Sequence, residues 1–241
     1  MTRNISGHYA RISAPIVLLL VLCTGPAALA DIVIDDFSSI ADAPNPWPAS
    51  QMSPGNNLIT EISLGSVLGG VRQTTIFGDS FVSGSDSITV SINPTSGILD
   101  YDSTAGGDGA LALIYSGFLT GLNEDFSGDI GIRVDFSSFV FGGEEPSSTP
   151  VTVALNDGTN NISRTVSLNS AGSQSLFFSF SLFSGFGTFD LSTMDRVTVS
   201  IDPLVDADFS LDLITTVTIP APGALALLGL AGMGRRRRRR Q

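Results

Sequence analysis

Residues 31–218 repeatedly alternate apolar with small polar side chains, the period of two that indicates half-buried β-strands. Residues 87–92 (SITVSI) and 129–136 (DIGIRVDF) show it most clearly. The same pattern recurs at residues 151–155, 162–168, 176–182, 197–201 and 209–213. No stretch of this region sustains a helical period. The pattern therefore predicts an all-β domain.

The turns between these segments indicate how the strands are arranged. Asp157-Gly158 joins residues 151–155 to residues 162–168, which predicts a hairpin. Leu176, Phe178, Phe180 and Leu182 are predicted to line one face of the following strand. Ten or so strands with Gly- and Ser-rich turns predict a two-sheet β-sandwich of jelly-roll type.

The first thirty residues have the three parts of a secretory signal peptide. Arg3 and Arg11 supply the basic region, residues 16–22 supply the apolar run, and residues 28–30 (ALA) supply the small residues read by a signal peptidase. The apolar run is short for a bilayer core of about 30 Å. We therefore interpret residues 1–30 as a cleaved signal peptide rather than a retained membrane anchor.

The last residues, 219–241, form a different pattern. Pro220, Ala221 and Pro222 precede a short apolar segment at 223–234, which as a helix rises about 18 Å and stops short of a bilayer core. The chain then ends in a basic cluster before Gln241, made of Arg235, Arg236, Arg237, Arg238, Arg239 and Arg240. The positive-inside rule keeps such a cluster in the cytoplasm. The pattern predicts a short hydrophobic helix that contacts the membrane transiently during export.

This ending resembles a PEP-CTERM sorting signal, in which a Pro-Glu-Pro motif, an apolar segment and an Arg-rich end close an exported protein; Ala221 replaces the usual Glu. The resemblance implies recognition by an exosortase, a membrane enzyme, after export across the inner membrane of a Gram-negative-type bacterium that makes extracellular polysaccharide. It also implies a final place in the cell envelope, at the surface or in the extracellular matrix. It says nothing about the activity of residues 31–218.

The predicted ectodomain, residues 31–218, also resembles a recurring PEP-CTERM ectodomain type. The resemblance rests on residues 34–37 (IDDF), 68–72 (LGGVR), 99–102 (LDYD) and 206–212 (DADFSLD). Similar openings and closings occur in carbohydrate-binding jelly rolls, whose first and last strands are neighbours. No activity is assigned to the ectodomain type.

The composition of the ectodomain excludes several chemistries. It carries four arginines against twenty-three acids, a net charge of −19, and has no Lys, His or Cys. A Ser-His-Asp triad, a thiol nucleophile, a Schiff base and an ordinary zinc site are therefore excluded, and its acidity argues against nucleic acid as a partner. Carboxylate pairs remain, at residues 35–36, 100 and 102, 124–125 and 144–145; adjacent acids on a strand point to opposite faces.

Calcium is the cofactor that this composition allows, since calcium takes oxygen ligands. Asp100, Asp102 and Asp108 lie in one Gly-rich segment and are the candidate ligands. A second arrangement brings the acids of residues 206–212 towards residues 35–36. The alternative is an acidic loop that keeps the protein soluble.

Trp47, between two prolines, is the candidate ligand contact. One interpretation is that its indole faces outward and stacks on a sugar ring. The other is that it covers an open end of the core.

These observations leave three hypotheses for function. The leading one is a non-catalytic exported protein of the envelope or matrix, delivered by the PEP-CTERM-like tail. The alternative is a carbohydrate-binding module for extracellular polysaccharide. The third is a carboxylate-dependent glycosidase, which the small number of Trp and Tyr residues makes the weakest.

Overall fold

The computed structural model describes residues 30–41, 47–117, 120–142 and 148–218. These residues belong to one compact unit that runs from Ala30 to Thr218. Residues 1–29 of the predicted signal peptide (1–30) lie outside the described residues, and so does the predicted sorting segment at 219–241 with its Pro220 motif and Arg235–240 cluster. Among the residues that the structure describes, no helix has the length and apolar character needed to span a membrane.

The described residues form thirteen strands. In chain order these are β1 (Val33–Asp35), β2 (Ala49–Gln51), β3 (Gly55–Ile62), β4 (Gly70–Phe81), β5 (Ile88–Asn93), β6 (Ile98–Ser103), β7 (Gly107–Gly117), β8 (Asp129–Val140), β9 (Thr149–Asn156), β10 (Asn161–Leu168), β11 (Gln174–Ser179), β12 (Arg196–Ile201) and β13 (Asp208–Thr218).

The strands assemble into two antiparallel sheets. The larger sheet has the order β11-β8-β13-β6-β5-β2, with β1 also paired to β13, and the six-stranded sheet has the order β10-β9-β12-β7-β4-β3. Among the described strands, the chain changes sheet eight times, between β2 and β3, β4 and β5, β6 and β7, β7 and β8, β8 and β9, β10 and β11, β11 and β12, and β12 and β13. The protein is an all-β, two-sheet sandwich of jelly-roll type, which confirms the predicted fold class.

The inner faces of the two sheets form one hydrophobic core. Its centre contains rings from three adjacent strands of the larger sheet: Tyr101 stacks on Phe209 with ring centroids 4.6 Å apart, and Phe139 lies parallel to Phe209 at 6.0 Å. The Tyr101 hydroxyl donates to the Gly109 carbonyl on β7, 3.0 Å away, and so joins the two sheets. The fold therefore holds its sheets together without a disulfide.

The predicted hairpin is confirmed, since β9 and β10 pair from Asn156↔Asn161 onward. Asp157 accepts hydrogen bonds from the Thr159 and Asn160 amides and closes the connecting loop. The predicted strand at 176–182 is wrong in its second half. The chain turns at Phe180–Leu182, where the Phe183 amide donates to the Phe180 carbonyl, and Leu182 is therefore exposed.

Candidate functional site

The outer face of the six-stranded sheet carries an unusual set of side chains. Alternate residues of each strand, such as Leu111, Leu113 and Tyr115 on β7, are buried in the core, so the residues between them point outward. We call these outward residues the split face: Leu58, Thr60 and Ile62 on β3; Val71, Gln73, Thr75 and Phe77 on β4; Ala110, Ala112, Ile114 and Ser116 on β7; Arg196, Thr198 and Ser200 on β12; Thr152, Ala154 and Asn156 on β9; Asn161, Ser163, Thr165 and Ser167 on β10.

Strand register divides the split face into rows that cross all six strands. One central row is Thr60, Gln73, Ile114, Thr198, Ala154 and Ser163. The next is Leu58, Thr75, Ala112, Ser200, Thr152 and Thr165. Six strands about 4.8 Å apart make each row about 24 Å long. Neither row contains a charged residue.

The half of the split face on β3, β4 and β7 carries most of the apolar side chains of this face, together with a smaller number of hydroxyl and amide groups. Leu58 is 60% exposed and Ile62 is 48% exposed, and both point outward from the edge strand β3. Ile114 continues this apolar surface on β7. Ala110 and Ala112 on the same strand have small side chains, so they project little from the sheet. A pocket opens at one end and is lined by Ile62, Ser63, Gly69, Gly70 and Val71. This half suits the apolar part of a ligand.

The half on β12, β9 and β10 carries hydroxyl and amide groups. Thr152 and Thr165 share a hydrogen bond of 2.7 Å across the β9–β10 pair. The side-chain amide of Asn156 donates from Nδ2 to the side-chain oxygen of Asn161, 2.7 Å away. Hydroxyls and amides each combine donor and acceptor capacity. This half therefore suits a ligand that is itself rich in hydroxyl groups.

Charged residues lie only at the two borders of the split face. Arg196 is exposed at one border, where it is the register partner of Asn156. At the opposite border Asp202 follows β12, and its pKa is raised by partial burial and by the negative charges of Asp79 and Asp108. The central rows are thus bounded by one cation and a group of acids, and an uncharged ligand fits between them.

Trp47 lies in the hydrophobic core, with only 9% of its surface exposed. This position corresponds to the interpretation in which the indole covers the core. A substitution of Trp47 therefore tests packing before it tests ligand binding.

The structure places the three candidate calcium ligands in different sheets. Asp100 and Asp102 lie on β6 in the larger sheet, where the Ser210 hydroxyl donates to Asp100, whereas Asp108 lies on β7 in the other sheet. Within the described ranges, no group of three or more acidic, His or Cys side chains is arranged to hold a metal ion. Calcium at these residues stays a prediction from sequence.

The carboxylate pairs occupy turns and the core. Asp35 is fully buried, while its neighbour Asp36 accepts from the amide and hydroxyl of Ser38. Asp125 accepts from the Ser127 amide in a turn. Residues 144–145 lie outside the described part of the chain. The described pairs thus have structural uses that do not require catalysis.

Asp35 belongs to a buried ionic cluster beneath the split face. Arg72 on β4 donates from Nη1 to Asp35 Oδ2 at 2.9 Å and from Nη2 to Glu61 Oε2 at 2.8 Å, and all three side chains are at most 1% exposed. The guanidinium also donates to the Ser39 carbonyl and lies 5.8 Å from the centre of the Phe37 ring. Burial lowers the pKa of Arg72, but the two carboxylates outweigh burial and raise it.

The four sequence segments that resemble the PEP-CTERM ectodomain type meet in pairs. Arg72 from residues 68–72 binds Asp35 from residues 34–37. Tyr101 from residues 99–102 pairs with Phe209 from residues 206–212. The first strand pairs with the last. Asp208, one acid of the alternative calcium arrangement, accepts from the Ser103 amide and lies near Asp102; calcium in that arrangement also stays a prediction from sequence.

The chain matches no protein-family model and no curated protein. The solved structures to which it is similar share little sequence identity with it. A Family 11 carbohydrate-binding module from Clostridium thermocellum, solved in complex with a β-1,3-1,4-mixed-linked tetrasaccharide, is 16% identical with a TM-score of 0.41; the match covers 81% of this chain and 99% of that one. The Family 11 module of the cellulosomal cellulase Lic26A-Cel5E from the same organism is 17% identical with a TM-score of 0.40, covering 80% and 97% of the two chains. An agarase is 12% identical with a TM-score of 0.37, covering 55% and 22%.

Proposed function

We propose that this protein is an exported, non-catalytic protein that binds an uncharged polysaccharide chain along the split face. The observation that carries the proposal is the pair of uncharged central rows: towards β3 the apolar Leu58, Ala112 and Ile114 lie among polar residues, and towards β10 five of the six residues carry a hydroxyl group. A sugar chain presents C–H surfaces and hydroxyl groups, so both halves have partners on it. Each row is long enough to meet several sugar rings in succession.

Two further features agree with binding rather than turnover. The chain from residue 31 to residue 218 has no Lys, His or Cys, which leaves only carboxylates for acid–base chemistry. The central rows contain no carboxylate. Retaining and inverting glycosidases need two carboxyl groups beside the scissile bond. A ligand on the split face would therefore be bound without being cleaved.

Delivery to the envelope forms the second part of the proposal. The signal peptide at residues 1–30 exports the chain, and the tail at residues 219–241 holds it at the membrane until an exosortase-like enzyme processes it near Pro220–Pro222. Binding to extracellular polysaccharide then retains the ectodomain at the surface.

Binding is tested by introducing bulk and charge at the centre of the split face. Thr198→Arg places a long cationic side chain in the middle of a central row, and we expect it to weaken binding by about tenfold or more because sugar rings can no longer lie across β7, β12 and β9. Affinity is measured by co-precipitation and calorimetry with mixed-linkage β-glucan, xylan and agarose. Alginate, an acidic polysaccharide, serves as the charge control and is expected not to bind the acidic domain.

Ser91→Arg is the matched control, since Ser91 is also a half-buried outward residue at the centre of a strand, but in the larger sheet. It adds the same side chain and is expected to bind as the unsubstituted protein does. The proposal fails if the unsubstituted protein binds none of the uncharged polysaccharides, or if the two arginine variants bind equally.

Delivery is tested on the protein recovered from the cell surface. We expect its intact mass to correspond to a chain that begins at Asp31 and lacks the residues after about Pro222. A mass that still includes Arg240 and Gln241 would contradict processing and leave only membrane retention. Because this measurement is independent of glycan binding, each part of the proposal can fail alone.

A further inference from the structure

An exposed aromatic ring lies on the opposite side of the sandwich. Phe177 on the edge strand β11 is 42% exposed, while its neighbours Leu176 and Phe178 are buried in the core, so Phe177 points outward. Its ring lies over Gly131 of the adjacent strand β8. A Cβ built at Gly131 would lie 2.6 Å from Phe177 Cε2 and 2.8 Å from Cζ. The missing side chain of Gly131 thus makes room for the ring to lie against the sheet.

Hydrogen-bonding groups adjoin this ring on the same face. Arg133 is the register partner of Phe177, and its Nε donates to Asp135 Oδ2 at 2.9 Å. Ser175, the register partner of Asp135, donates its hydroxyl to the other carboxylate oxygen. The side chains of Arg133 and Asp135 are 38% and 20% exposed. The guanidinium and the carboxylate are therefore fixed in position and still accessible to a ligand.

We infer that this surface, which we call the Phe177 platform (Phe177, Gly131, Arg133, Asp135 and Ser175), is a second binding site for a ring of an uncharged polysaccharide. An aromatic face beside planar donors and acceptors matches a sugar ring, whose C–H face packs on the aromatic ring while vicinal hydroxyls meet the guanidinium and the carboxylate. The Arg133–Asp135 ion pair is itself neutral and Asp212 lies near both of its members, so an uncharged ligand suits this surface better than an anionic one. The inference rests on the proposed function.

The position of the platform gives the protein a second capability. The two sheets of a sandwich pack with their inner faces together, so their outer faces point in opposite directions. The split face and the Phe177 platform lie on different sheets. A protein with both sites joins two polysaccharide chains, and linking two binding events in one molecule raises the overall avidity. The protein is thus a cross-linker of the matrix that it binds.

The test separates binding from cross-linking. The protein is mixed with mixed-linkage β-glucan, xylan or agarose, and bound protein is measured by co-precipitation while particle growth is measured by light scattering. The unsubstituted protein is expected to bind and to enlarge the particles. Phe177→Ala is expected to keep co-precipitation within about twofold, because the split face is intact, and to reduce particle growth at least tenfold. Phe177→Tyr keeps an aromatic platform and should restore growth.

Leu182→Ala is the control, because Leu182 is an exposed apolar residue outside the platform. Particle growth with Phe177→Ala equal to that with Leu182→Ala would overturn the inference while leaving the split face unaffected. Growth without polysaccharide would also overturn it, since Phe177 would then join copies of the chain through the β11 edge. Absence of any glycan binding by the unsubstituted protein overturns the proposed function as well, and the co-precipitation measurement identifies that case.

Discussion

Replacing Arg72 by methionine is expected to destabilise the domain by about 3–5 kcal/mol, because removing one partner leaves buried carboxylates uncompensated. Arg72 is the register partner of Glu61 and reaches Asp35 on the first strand. Glu61 in turn accepts from the Ala41 amide. Losing the guanidinium therefore removes the group that fastens residues 35–41 to the six-stranded sheet. Chemical denaturation with near-ultraviolet circular dichroism measures the change.

The same variant is expected to depend on pH more than the unsubstituted protein does. Burial raises the pKa of Asp35, and Arg72 is the largest influence opposing that rise. Without Arg72 the pKa of Asp35 rises further above its value in the unfolded chain. A raised folded-state pKa gives stability that is present at low pH and is lost as pH rises through that pKa. The stability deficit of the variant should thus be smaller at pH 5 than at pH 8.

Arg133→Met is the matched control, because Arg133 also pairs with an aspartate but is partly exposed. Exposed ion pairs contribute about 0–1 kcal/mol, so this variant should lose little stability. Equal losses for the two variants, or a deficit of Arg72→Met that does not change with pH, would show that the buried cluster does not stabilise the fold through its charges.

Strands in which apolar and polar residues alternate regularly could be predicted from the sequence. Strand β7 shows why other strands could not. Its inner residues Leu111 and Leu113 are apolar, but so are its outer residues Ala112 and Ile114. The alternation is therefore absent where the strand contributes to the split face. A continuous apolar run beside regular alternating strands was the one sequence signal of that surface. Such a run does not by itself distinguish a two-sided strand from a buried helix.

Long-range register accounts for the rest of what the sequence could not supply. The outward position of Arg133 follows from alternation along β8, but its place beside Phe177 requires the β8–β11 pairing. Likewise Asp100 and Asp108 are close in sequence, yet the turn between β6 and β7 carries the chain into the other sheet. Arg72 interrupts the apolar pattern of β4, although it is buried. Its partners Asp35 and Glu61 come from β1 and β3, so its burial follows from strand pairing and not from the pattern of β4 alone.

Phe209→Ala is expected to cost about 3–5 kcal/mol and to lower the midpoint of thermal unfolding by roughly 10 °C. Phe209 is 1% exposed and lies in register between Tyr101 on β6 and Phe139 on β8. Its ring is parallel to both neighbouring rings and meets Phe136 edge-on at 6.0 Å. Alanine leaves a cavity at the centre of the larger sheet, and Tyr101, which joins the sheets through Gly109, loses its stacking partner.

Phe177→Ala provides the comparison, since it removes the same atoms from a partly exposed position on the outer face. It should cost only about 1 kcal/mol, because much of its ring is already in water. Calorimetric unfolding of both variants measures the difference directly. A loss at Phe209 no larger than that at Phe177 would mean that the three-strand aromatic stack is not the centre of the core. If Phe177→Ala loses only this small amount of stability, a loss of cross-linking in that variant reflects the platform and not unfolding.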